Sequence, residues 1–222
     1  MTLHGYFLIA IGLVEVFLGF WLVYRYQRTA VNSWYIAFVF SVGLWVLANA
    51  GIYFYVDALE TAQLFNELTW LAGVLIAFTF LFFSFYFPIS LKPVRRYYYL
   101  LIFVPLVLFI YLIFFSKLFI TGMIFEGNNQ KFFTGSLFFL FPVYFLVYLI
   151  WGIINLGRKL KRTDGVHVRQ LKLFLTGILI SSVFIIVFDM IYPLFGKAVP
   201  LGLGPEFSIV WLGYTTYIIL KR

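Results

Sequence analysis

The chain has 222 residues, of which 64% are hydrophobic and 11% charged, and its mean hydropathy is +1.03. A water-soluble domain carries about 25% charged residues, so this chain has too little polar surface to cover a soluble globule and reads as a polytopic membrane protein. The net charge of +8 sits in short segments between apolar runs, where it sets topology and meets anionic lipid rather than nucleic acid. Cysteine is absent, which excludes disulfides, thiolate chemistry and Cys-ligated metal.

Seven apolar runs each approach the roughly 20 residues that cross a bilayer. Their continuous hydrophobicity predicts helices rather than the alternating strands of a barrel. The first, 5–24, ends at Arg25 and Arg28. It lacks the basic start, short apolar core and small-residue cleavage site of a signal peptide. The second covers 33–55 and is followed by the polar stretch DALETAQLFNE. The third, 68–87, stops at Pro88. The fourth, 97–115, carries Pro105, a kink that neighbouring helices can satisfy. The longest connection, 116–135, contains EGNNQ and is expected to be a polar loop. The fifth span covers 136–156 with Pro142 inside it, and the sixth, 170–192, ends at Tyr192 and Pro193. The seventh, 205–220, opens on Gly204 and Pro205, where a proline in the first turn forfeits no hydrogen bond. The expected fold is all-α: one seven-transmembrane-helix bundle spanning 1–222, with no internal repeat.

The stretch GRKLKRTDGVHVRQLK, 157–172, holds Arg158, Lys159, Lys161, Arg162, Arg169 and Lys172 between two spans and is read as a basic loop that sets topology, the rival being a merely solvated linker. Basic loops stay in the cytoplasm. With that loop inside, the same side receives Arg25, Arg28, Lys92, Arg95, Arg96, Lys221 and Arg222. The other side receives only Lys117, Lys131 and Lys197 of the 16 bases. The asymmetry predicts an outside N-terminus, an inside C-terminus and a multi-pass place in the inner (plasma) membrane. Tyr24, Tyr26, Trp34, Tyr53, Tyr55 and the tyrosines at 97–99 near span ends fit an interfacial belt.

Polar residues inside the spans are the candidate functional groups. Glu15 lies mid-span, and Gly5, Gly12 and Gly19 share its helical face. Small residues admit a neighbouring helix, so Glu15 is expected to face protein, either as a structural acid or as a switch. Asp189 near the end of the sixth span and Glu206 at the start of the seventh share one level. Glu67 and Asn49 lie near it, with Trp70 one turn further in. Together these five suggest a ligand-binding pocket with a polar mouth and an apolar floor, the alternative being interfacial residues in water with Lys197 as counter-ion; Glu206 also sits in a first turn, which favours an anion. His4 and His167 fall in different compartments and cannot form one metal site. No HExxH or GxSxG motif is present, and the seventh span has no lysine for a retinal Schiff base. No catalytic residue, metal or cofactor is assigned.

Asn32 followed by Trp45, LFNELTWLAG (64–73), VRQLKLFLTG (168–177), DMIYPLFG (189–196) and LGPEFSIVWLGYTTYIILKR (203–222) occur in an order and spacing that resembles the N-terminal seven-helix region of bacterial sensor histidine kinases. The resemblance spans nearly the whole chain. It implies a membrane-embedded sensor of a two-component system, passing a stimulus through the seventh helix to a cytoplasmic kinase or other effector that begins beyond Arg222. The implied partners are the lipid bilayer, a small ligand or physical stimulus, that effector and a second copy in a homodimer. No kinase activity is expected within these residues, which hold no phospho-acceptor histidine box or ATP motif. The alternative is a small seven-helix transporter or channel. A repeat-built transporter should carry matched prolines in both halves, and the first two spans have none.

Overall fold

A computed structural model describes residues 3–27, 29–88, 96–126, 129–197, 199–200, 208, 212–214 and 216. Helix α1 spans Leu3–Arg25, α2 Ala30–Phe54, α3 Leu59–Tyr86 and α4 Arg96–Phe115. Strands β1 (Ile120–Glu126) and β2 (Asn129–Thr134) follow, then α5 (Leu140–Leu160) and α6 (Val166–Phe184). A π-helical segment, Ile185–Ile191, continues α6 into a last helical turn, Tyr192–Leu194, and a short strand β3, Val199–Pro200. Six helices are long and apolar enough to cross a membrane, the sixth being the composite Val166–Leu194. Of the expected seventh span, Ser208, the 212–214 turn and Thr216 are described, all helical; its other residues lie outside the described set.

Helices α2 and α3 form the centre. Helix α1 packs on α2, while α4 and α5 pack on α3. The glycine face of α1 meets α2. A Cβ on Gly5 would stand 3.3 Å from Tyr53 Cβ, and one on Gly19 2.9 Å from the Phe40 ring. Close approach of this kind is how helices associate where lipid removes the hydrophobic drive between them. The opposite face of α1, with Phe7, Phe17 and Phe20, is exposed, as are Leu100, Val104 and Val107 of α4. These are the surfaces suited to lipid.

Hydrogen bonds reinforce the α5 seam. Tyr144 Oη donates to the Val74 carbonyl (3.1 Å) and Tyr148 Oη to that of Ile102 (2.8 Å). Asn155 Nδ2 donates to Ser84 Oγ at 3.1 Å. Lys159, only 4% exposed, reaches past the end of α3 and donates to the carbonyls of Phe85 (2.8 Å) and Phe87 (2.7 Å). A cation suits the carbonyl-rich C-terminus of a helix.

Three expectations need correction, within a fold that is mostly helical as expected. The polar loop expected at 116–135 gives way to an antiparallel hairpin of β1 and β2, extended by β3 pairing Asn129 with Pro200 and Gln130 with Val199. Two-residue alternation explains it: Gln130 and Phe132 are buried while Phe133 is exposed. The polar stretch before the third span is mostly helix, because Ala62, Asn66 and Trp70 recur every fourth residue and all are buried. The basic stretch 157–172 is mostly helical too. Arg158 and Lys159 end α5, while Arg169 and Lys172 lie in α6. Lys159 is therefore a buried helix cap and not a solvated loop residue. The sixth span is helical and changes from α to π geometry at Ile185.

Candidate functional site

The hairpin closes one end of the bundle over Trp70. The Trp70 ring stands edge-on to Phe119, Phe132, Phe138 and Phe141, with centroids 5.1–5.8 Å away. Edge-to-face packing is the favoured geometry for such pairs. The indole nitrogen donates to Asn66 Oδ1 at 2.9 Å, which satisfies the one polar atom of a side chain only 5% exposed.

Beside this aromatic box lies a cavity of about 30 Å³, room for about two waters at roughly 10–15 Å³ each. Asn49 and Trp45 of α2, Thr69, Trp70, Gly73 and Ile76 of α3, Gln130 and Phe132 of β2, Phe141 and Phe145 of α5, and Ile185 of the π segment line it. Every lining side chain among the described residues is uncharged. Asn49 Nδ2 donates to the Trp45 carbonyl (2.8 Å) and Thr69 Oγ1 to that of Phe65 (3.0 Å). Gln130 is 4% exposed, and its Oε1 is buried without a hydrogen-bond partner among the described residues.

Of the five residues expected to form a pocket, Asn49 and Trp70 line this cavity. Glu67 does not. It lies one turn nearer the start of α3 than Trp70, half-buried, with Gln63 Nε2 3.5 Å from its Oε1. Asp189 contributes its backbone to the π segment, four residues beyond Ile185; its side chain, like all of Glu206, lies outside the described residues. Gln130, Trp45 and Thr69 complete the cavity without having been singled out as site residues. Trp45 stands one helical turn before Asn49, and Thr69 directly precedes Trp70. Gln130 carries a signal only if the runs flanking Gly127 and Asn128 are read as a hairpin.

A second polar cluster ties the seventh segment to the bundle. Glu15 is 1% exposed. Its Oε1 accepts from Ser208 Oγ at 2.6 Å, while its Oε2 is buried with no partner. Gly43 of α2 lies alongside it: a Cβ there would stand 3.6 Å from Glu15 Cβ, an ordinary contact, and 3.0 Å from Val16 Cγ2. Further along, Tyr35 Oη and Thr216 Oγ1 share a hydrogen bond of 2.7 Å. The seventh segment is thus held by one hydroxyl to α1 and another to α2. Among the described residues no cluster of His, Cys, Asp and Glu could hold a metal ion. His4 packs edge-on to Tyr53, and His167 Nδ1 lies 3.2 Å from Gln170 Oε1.

These features define a multi-span helical membrane protein with an uncharged internal cavity at one end and polar ties to its last segment. The chain belongs to the family described as the N-terminal 7TM region of histidine kinase, matched over residues 7–221. That family is the membrane sensor region, without the kinase domain. No curated protein and no solved structure matches the chain.

Proposed function

We propose that this region is the input module of a signalling protein. The cavity behind Trp70 is its sensing site, and the seventh segment is its output toward a cytoplasmic effector such as a histidine kinase. The observation that carries this reading is the π segment. Ile185 forms part of the cavity wall, and the same segment runs on toward the seventh segment. π turns inside α-helices concentrate at functional sites. The Glu15 and Tyr35 ties bear on output, because a change in the last segment must break or remake them. Asp189 and Glu206 complete the proposal on sequence grounds alone, as acids that chain order puts at the same membrane level as Asn49 and Trp70.

The test is fusion of residue 222 through a helical linker to a reporter kinase. Gly73→Ala adds a methyl 3.1 Å from Phe141 Cζ at the cavity wall and should shift basal output several-fold without lowering expression. Insertions of one to four residues after Arg222 should change output with helical period. A reporter indifferent to both would reject the cavity as input and the seventh segment as output.

The proposed orientation has the hairpin outside and the linker between α5 and α6 inside, in the inner membrane. It rests on the distribution of bases. Cysteine-free sequence allows clean single-site labelling at exposed Ser136 and Asp164. An impermeant maleimide should label Ser136→Cys in intact cells and spare Asp164→Cys until the cells are opened. The reverse pattern would invert the topology.

A further inference from the structure

We propose that the cavity takes a small, uncharged hydrogen-bond donor, held by Gln130 Oε1 against the aromatic wall; the inference rests on reading this cavity as the sensing site. Three observations select that class. First, Gln130 Oε1 is an acceptor without a partner, in a residue almost wholly removed from solvent and lining the cavity. A buried acceptor left unmade is costly, so a guest that donates to it gains the full difference. Second, several lining donors are already engaged inside the protein. Asn49 Nδ2, Thr69 Oγ1 and Trp70 Nε1 donate to Trp45 O, Phe65 O and Asn66 Oδ1. An amide nitrogen carries two N–H donors, so the cavity can also donate; what singles out a donor guest is the Gln130 acceptor.

Third, no charged side chain among the described residues lines the cavity. A cation would find aromatic rings and, among the described residues, no carboxylate, and a charge moved from water without a partner is strongly disfavoured. A hydroxyl or amide group fits both the polarity and the size. Gln130 is held in place by strand pairing, with Phe125 opposite in β1 and Val199 opposite in β3. The acceptor is thus presented by a backbone fixed on both sides.

The experiment uses the full chain in lipid nanodiscs and carbon NMR of 13C-labelled guests small enough for a cavity of about two waters. Methanol, an uncharged O–H donor, is compared with dimethyl ether, which cannot donate. Methylammonium is the cationic competitor. Saturable line broadening is expected for the alcohol, with binding about tenfold weaker for the ether and for the alcohol on Gln130→Leu, the effect of one hydrogen bond to a buried acceptor. Leucine removes the orphan acceptor at similar size, so folding should survive. If it does not, the alcohol and ether on the unaltered chain still decide. Equal binding of alcohol and ether, or displacement of the alcohol by methylammonium, would overturn the inference. Binding without any reporter effect of Gly73→Ala would remove the sensing role and leave this inference standing. A responsive reporter with no alcohol binding would do the opposite.

Discussion

Glu15→Lys should abolish the folded bundle, while Glu15→Gln leaves it intact. Glu15 is buried where α1, Gly43 of α2 and Ser208 of the seventh segment meet. Glutamine keeps the oxygen that accepts from Ser208 and replaces only the atom that has no partner. Lysine offers no acceptor, so the Ser208 bond to this side chain is lost, and a longer cationic chain enters a groove floored by glycine. The Gly12 position shows how little room that groove holds: a Cβ there would stand 2.6 Å from Leu47. Leaving a charge buried and unpaired costs about 3–5 kcal/mol, a large part of the roughly 5–15 kcal/mol by which a native fold is stable. Yield and size-exclusion profile in detergent provide the measurement. A normal yield of monodisperse Glu15→Lys protein would mean that Glu15 does not sit in this interface.

Lys159→Met should produce the second large loss. Methionine keeps most of the aliphatic length but withdraws the ammonium from the Phe85 and Phe87 carbonyls at the end of α3. Those carbonyls lie among buried Phe83, Phe87 and Phe174, whose rings pack within 4.8–5.5 Å of one another. Each unmade buried bond costs about 1–3 kcal/mol, so the pair should lower stability by roughly 2–6 kcal/mol. The expected result is a thermal midpoint several degrees lower, with Lys161→Met unchanged as the exposed control. Equal midpoints for the two variants would show that the cap contributes nothing.

How much of this could be read in the chain depends on the kind of signal. Long apolar runs between bases mark spans well, because bilayer thickness sets both the length and the composition. The ends were harder. Helix α3 begins at Leu59 rather than 68, since its first turns are amphipathic and the polar residues Glu60, Gln63 and Glu67 disguise the buried face of Ala62 and Asn66. Lys159 looks like any loop base until α5 is extended to Leu160 and its neighbour α3 is known. Gln130 was invisible for a different reason. The hairpin alternates over so few residues that the run of polar letters in EGNNQ outweighs it. Trp70 and Asn49 were legible as a level in the membrane, because helical rise converts sequence separation into depth. Their shared cavity depends on which helices are neighbours, and no single sequence supplies that.

The π segment leaves one residue of slack in the wall of the bundle. A π turn holds an additional residue compared with an α turn, so drawing that residue back into α geometry would turn everything beyond it by about 100° and advance it by about 1.5 Å. The slack lies between the cavity wall at Ile185 and the strand β3 that joins the hairpin. Buried α2 and α3 have no such reserve, since a one-residue shift in either would swing its packed face out of register. The molecule thus carries a screw thread at one place, set in a frame that does not turn.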